Sequence, residues 1–194
     1  MNITWITGRD LNVDLASTTE VGLIGAINKK NHIIRVMSPT ANIDNGSFQH
    51  TRFKKIKFRG METLSAGFFI NKKFKSSNMI QEFSDCVLVD WCYVPSLKRE
   101  LLKMEKPWFI IDRGPPVYRS LLTKIQKRIW KRSWKIASES ASGGFVVSEE
   151  HKKFVNKIGL KIEIHILKAG TNINHFNENI RDIDDLVILS YCGR

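Results

Sequence analysis

The sequence predicts an α/β protein with a doubly wound, mostly parallel sheet carrying helices on both faces. Two observations predict it. Short apolar runs alternate with helical stretches along the whole chain. The runs are also continuously apolar rather than alternating, as strands covered on both faces are, and such strands need helical crossovers between them.

Strands are predicted at 3–6, 33–37, 53–58, 86–90, 108–111, 144–147, 163–167 and 186–192. Helices are predicted at 17–29, 61–75, 96–105, 117–141 and 149–157. Ser17-Thr-Thr-Glu20 reads as a capping box ahead of the apolar run through Val21, Leu23, Ile24 and Ile27. Ser148 follows an apolar run and precedes Glu149 and Glu150, an N-cap with acidic first-turn residues. The stretch 41–52 reads as a loop with an Asn-Gly turn, and 168–185 as a linker.

The chain of 194 residues is long enough to bury a core without disulfide or metal support. No apolar run has the ~18–20 residues of a membrane span, and the amino terminus lacks the basic and apolar regions of a signal peptide. Three cysteines and five histidines show no metal-ligand spacing, and the odd cysteine count argues against a disulfide framework. These features predict a reduced, cytoplasmic protein. The net charge of +12 predicts an anionic partner without choosing among nucleic acid, phosphorylated metabolite and acidic lipid.

In open α/β sheets ligands lie beyond the carboxyl ends of the strands, which directs attention to the loops 7–16, 90–95, 112–116 and 168–172. Gly8, between the first strand and a helix, suits backbone binding of phosphate, although no dinucleotide or P-loop motif surrounds it. It equally relieves a tight turn. Arg9 stands beside it, and Asp90, ending the fourth strand, is either a polar group in the cleft or a turn cap. Asp112 and Arg113 end the fifth strand and are expected on one face of the sheet, as catalytic groups or as a mutual contact.

The helix around 117–137 holds seven basic residues (Arg119, Lys124, Lys127, Arg128, Lys131, Arg132, Lys135) and no acidic one. A helical wheel places Tyr118, Leu122, Ile125, Ile129 and Ile136 toward the sheet, with Lys124, Lys127, Lys131 and Lys135 opposite and Arg128 close by. Trp130 and Trp134 fall on a flank between them. That pattern suits an anionic membrane surface or an ordinary solvated face. A nucleic-acid reading lacks a recognition motif.

From Gly143 onward the chain reads GGFVVSEEHKKFVNKIGLKIEIHILKAGTNINHFNENIRDIDDLVILSYCGR. The order and spacing of FVVS, KIGL, KAGTNINHF and LVILSYCGR resemble the interdomain region of GT-B glycosyltransferases, particularly retaining glycosyltransferase family 4. Thr171 and Asn172 stand where that family usually has Val and Asp, and the first loop lacks its frequent double glycine. Asp112-Arg113 stands where members often carry a functional histidine. The resemblance implies a Rossmann-like amino-terminal, acceptor-side domain over 1–170, an interdomain linker over 171–185, and the first strand of a truncated donor-binding domain over 186–194. It implies a nucleotide-sugar donor and a lipid-linked, saccharide or other glycosyl acceptor as substrates, with no cofactor and no required metal. By position it assigns Arg194 to the donor diphosphate. It also implies that the fragment alone lacks turnover and that the basic helix lies at the inner face of a membrane. A stand-alone basic binding module and a sugar-nucleotide epimerase are the rival readings.

Overall fold

The computed structural model describes residues 1–12, 18–40, 48–56, 62–76, 82–116 and 121–168. Seven strands form one parallel sheet: β1 (Asn2–Ile6), β2 (Ile33–Ser38), β3 (Gln49–Arg52), β4 (Cys86–Asp90), β5 (Trp108–Asp112), β6 (Gly143–Val146) and β7 (Ile164–Ile166). The connecting helices are α1 (Thr18–Lys29), α2 (Glu62–Ser76), α3 (Lys98–Leu102), α4 (Leu121–Ser140) and α5 (Glu149–Asn156). The strand order is β3-β2-β1-β4-β5-β6-β7. The order reverses between β1 and β4, so a crevice opens there at the carboxyl ends of the strands.

The doubly wound fold is therefore as predicted, and its strands are buried along their length as two-sided coverage requires. Because side chains alternate along a strand, each strand feeds two cores. Ile3, Trp5, Ile34, Val36, Cys86 and Ile111 point to the face covered by α1, where Ile24 packs. Ile6, Met37, Val87, Val89, Trp108 and Ile110 point to the other face, against α2, α3, α4 and α5.

Two elements differ from expectation. The third strand lies at Gln49–Arg52, within the stretch read as a loop, and not at 53–58. Its residues, Gln-His-Thr-Arg, are polar because β3 is an edge strand with one pairing partner and half-open faces. Phe53 follows the strand as a buried core residue, and its apolar neighbours drew the sequence reading downstream.

The second difference is the rotation of α4. Ile136 is buried as expected and Ile129 is half-buried, but Ile125 is exposed, while Thr123, Trp130, Ser133, Trp134 and Ala137 also face inward. An indole buries more apolar area than an isoleucine, provided its N–H finds an acceptor. Gly144 of β6 makes the room: a Cβ there would lie 2.7 Å from the Trp134 ring. The loop read at 168–185, beyond its first residue, and the strand read at 186–192 lie outside the described residues, as do the domain boundaries placed on them.

Candidate functional site

Strand parity places the site. Trp5, Leu88 and Ile111 all face α1, and continuing each strand by two residues brings Thr7, Asp90 and Arg113 out on that same side. They emerge at the carboxyl ends of β1, β4 and β5, across the point where the strand order reverses. Glu20, in the first turn of α1, completes the group.

Glu20 is 1% exposed and lies at the centre. Its Oε1 accepts from Arg9 Nε at 3.1 Å and from Arg113 Nη1 at 3.2 Å. Its Oε2 lies 3.0 Å from the Thr7 hydroxyl, which lies 2.9 Å from Asp90 Oδ2. Asp90 also accepts from the Gly8 backbone N–H at 3.2 Å and from Trp5 Nε1 at 3.3 Å.

The hydrogen count at Thr7 is informative. Its oxygen carries one hydrogen, already receives the Arg9 backbone N–H at 3.3 Å, and touches two carboxyl groups. One hydroxyl hydrogen cannot serve two ionised carboxylates. A second proton, held on Glu20 or Asp90, completes both bonds. The electrostatics agree. Burial raises Glu20 to about 7, the nearby Asp90 adds to the rise, and Arg113, Arg9 and the Thr7 bond oppose it. Burial also raises Asp90, against the bonds from Thr7, Gly8 and Trp5. The site thus holds two arginines, two coupled carboxyls and a hydroxyl between them, an arrangement able to bind an oxyanion and to move a proton.

Among the residues singled out from the sequence, Arg9, Asp90 and Arg113 belong to this group. Gly8 borders it, but its N–H is given to Asp90, and a Cβ at Gly8 would fall 2.3 Å from the Tyr93 hydroxyl oxygen. Close ring packing therefore accounts for that glycine, and the amide expected to grip a phosphate is engaged. Glu20 was missed as a site residue because it fits the capping-box pattern. Its carboxylate instead turns to Arg9, Arg113 and Thr7.

Asp112 requires correction as a catalytic residue. It shares the parity of Trp108 and Ile110, so it points into the opposite core and not beside Arg113. It is fully buried, and its Oδ2 accepts from Trp130 Nε1 at 2.5 Å, Trp134 Nε1 at 2.8 Å and His151 Nε2 at 3.1 Å. Its Oδ1 accepts from the Gly114 N–H at 3.1 Å. Four donors occupy this carboxylate, and it joins β5, α4 and α5.

The same contacts correct Trp130 and Trp134, expected at a membrane surface. They are 1% and 0% exposed and belong to the core. Lys124, Lys127, Arg128, Lys131 and Lys135 are exposed on α4, as expected, together with Arg132. Lys127 Nζ stands 5.9 Å from the Phe154 ring centroid. Arg194 lies outside the described residues. Among the described residues no three His, Cys, Asp or Glu side chains group as metal ligands would, and no helix is long and apolar enough to cross a membrane.

No family model matches the sequence, and no curated protein matches it. Solved structures do resemble the fold. A chain of sucrose-phosphate synthase from Thermosynechococcus elongatus superposes with a TM-score of 0.62 at 13% identity, covering 89% of this chain and 91% of that one. UGT2 of Phytolacca americana, complexed with UDP-2-fluoro-glucose and pterostilbene, gives 0.57 at 8% identity, covering 85% of this chain and 52% of that one. CalG4, the calicheamicin glycosyltransferase, gives 0.54 at 9% identity, covering 87% and 52%. The chain thus spans about half the length of the last two. At these identities the likeness establishes the fold, a Rossmann-like α/β domain of the kind that GT-B glycosyltransferases contain.

Proposed function

We propose that this chain is the acceptor-side domain of a GT-B glycosyltransferase of the family 4 type, which transfers a sugar with retention from a nucleotide-sugar donor. The observation that carries the reading is the convergence of Thr7, Arg9, Glu20, Asp90 and Arg113 on one crevice. That crevice lies at the switch point of a fold shared with glycosyltransferases. Positive groups there stabilise a departing or incoming phosphate, the electrostatic part of such a transfer. A second α/β domain closes the cleft from the donor side, with Arg194 near the diphosphate. The coverage of about half of UGT2 and CalG4 supports this division. The 194-residue chain by itself then lacks turnover. The reaction uses no cofactor and takes place in the cytoplasm.

The exposed basic row Lys124, Lys127, Arg128, Lys131 and Lys135 supports peripheral contact with anionic lipid at the inner membrane face. With both tryptophans buried, the attraction rests on charge and weakens with salt.

The test is sugar transfer from a panel of nucleotide sugars by the whole protein that contains this chain, with truncation after Arg194 abolishing it. Transfer by the 194-residue chain alone refutes the two-domain reading. For the lipid surface, Lys127→Glu combined with Lys131→Glu is expected to abolish sedimentation with phosphatidylserine vesicles while leaving stability within about 0.5 kcal/mol.

A further inference from the structure

The Arg9–Arg113–Glu20 cluster has two hydrogen-bonding arrangements that differ by one proton on the carboxyl pair, and only the protonated one completes both Thr7 contacts. With Glu20 ionised, both guanidiniums point at its Oε1, at 3.1 and 3.2 Å. With Glu20 protonated, its hydroxyl donates to Thr7 Oγ1, and Thr7 donates onward to Asp90, along contacts of 3.0 and 2.9 Å. In this second arrangement the carboxyl pair is satisfied without the arginines.

The layering gives the two arrangements a purpose. Glu20 is inside at 1% exposure, while Arg9 and Arg113 lie outside it at 32% and 20%. An anion arriving from solvent meets the guanidiniums first, and each guanidinium carries paired N–H groups in the fork geometry that suits an oxyanion. We infer that Arg9 and Arg113 form a binding site for a phosphate-type oxyanion, in which Glu20 is the resident counter-charge and takes up one proton from solvent as the anion binds. This deepens the transferase reading of the same crevice, and rests on it only in taking the oxyanion as a phosphate of the donor or of the acceptor.

Among the described residues the groups facing Glu20 are Thr7 at the end of β1, Arg9 in the loop after it, Asp90 at the end of β4 and Arg113 after β5. The carboxyl pair is the part of the cluster that lacks a hydrogen, so the proton goes there. With Glu20 titrating at about 7, the competent form falls about tenfold between pH 6 and pH 8.

Sulfate is the appropriate probe, because its charge does not change over that interval. Calorimetric titration of the full chain with sodium sulfate is expected to show affinity about tenfold higher at pH 6 than at pH 8, and uptake of about one proton per anion at pH 8. Glu20→Gln mimics the protonated form. It should bind at pH 8 about as tightly as the wild type does at pH 6, with the pH dependence gone. Arg9→Ala and Arg113→Ala should each weaken binding by about tenfold or more. Should either arginine variant fail to fold, the comparison of wild type with Glu20→Gln across pH decides the matter alone. Equal affinity at pH 6 and pH 8 overturns the inference, as does a pH dependence that survives in Glu20→Gln.

Displacement of sulfate by UDP assigns the site to the donor, and displacement by glycerol 3-phosphate assigns it to the acceptor. Displacement by neither removes the phosphate assignment. Sulfate binding without sugar transfer by the whole protein leaves this site standing and removes the transferase reading. Transfer without sulfate binding does the reverse.

Discussion

Asp112 and Arg113 are neighbours in sequence, yet they serve two clusters built on opposite plans. The Asp112 cluster has one carboxylate and four donors, and two indoles, a histidine and a backbone N–H enclose it completely. The Glu20 cluster has two carboxyls, one hydroxyl hydrogen between them, and two arginines that remain partly exposed. In the first, four donors meet one buried carboxylate, which makes it a structural joint. The second has two arrangements that differ by one proton, and such a system is one that a ligand or a proton can shift. A burial figure alone does not separate them, since Asp112 and Glu20 are 0% and 1% exposed. The count of hydrogens does.

The largest expected effect follows from removing the joint. Asp112→Ala strips the acceptor from Trp130, Trp134 and His151 at once, and each buried donor left unpaired costs roughly 1–3 kcal/mol. Partial relaxation reduces the sum, so a loss of about 4 kcal/mol in urea unfolding is expected. A loss below about 1 kcal/mol shows that the joint does not hold β5 to α4 and α5, and the contrast between the clusters fails.

The Glu20 cluster predicts the opposite sign. A carboxyl raised from 4.5 to about 7 binds its proton more tightly in the folded chain. Stability on its account is therefore greatest at low pH and declines as pH rises from about 4.5 through about 7. Glu20→Gln removes that decline. It should stabilise the chain at pH 8 by an amount on the order of 2–3 kcal/mol and leave it unchanged near pH 4.5. Thermal unfolding of both proteins across pH 4.5–8 measures this. A destabilised variant at pH 8 assigns Glu20 to the structural plan of Asp112.

Much of this contrast was legible in the residues. The continuous apolar strands and the helices between them carried the fold, because parallel strands buried on both faces leave that signature. The site loops followed from it, and three of the five site residues, Arg9, Asp90 and Arg113, were named. The separation of Asp112 from Arg113 was also readable in principle. The period of two along Trp108–Asp112 sends adjacent residues to opposite faces, and treating the strand end as a single point lost it. Glu20 was hidden for a different reason. A Glu three residues after a Ser at a helix start is a capping signal in its own right, and its other partners, Thr7, Arg9 and Arg113, come from distant parts of the chain that only the fold brings to it. The tryptophans misled because an indole suits a membrane interface and a core equally well, the outcome depending on whether an acceptor is at hand. Asp112 supplied that acceptor from a strand.

The smallest expected effect tests whether the two clusters are independent. Ser148 caps α5, its hydroxyl accepting from the backbone N–H of His151 at 3.2 Å, and His151 in turn holds Asp112. Ser148→Ala frees that N–H and loosens the first turn, at a cost of about 1 kcal/mol. Because the disturbed turn carries His151, part of the loss passes to the Asp112 joint. None should reach Arg9, Arg113 or Glu20, whose side chains leave the sheet on its other face. Sulfate affinity at pH 6 is therefore expected to match the wild type while the urea midpoint falls. A matching drop in sulfate affinity shows that β5 transmits the disturbance from Asp112 to Arg113, and that alternation along the strand separates their directions but not their energies.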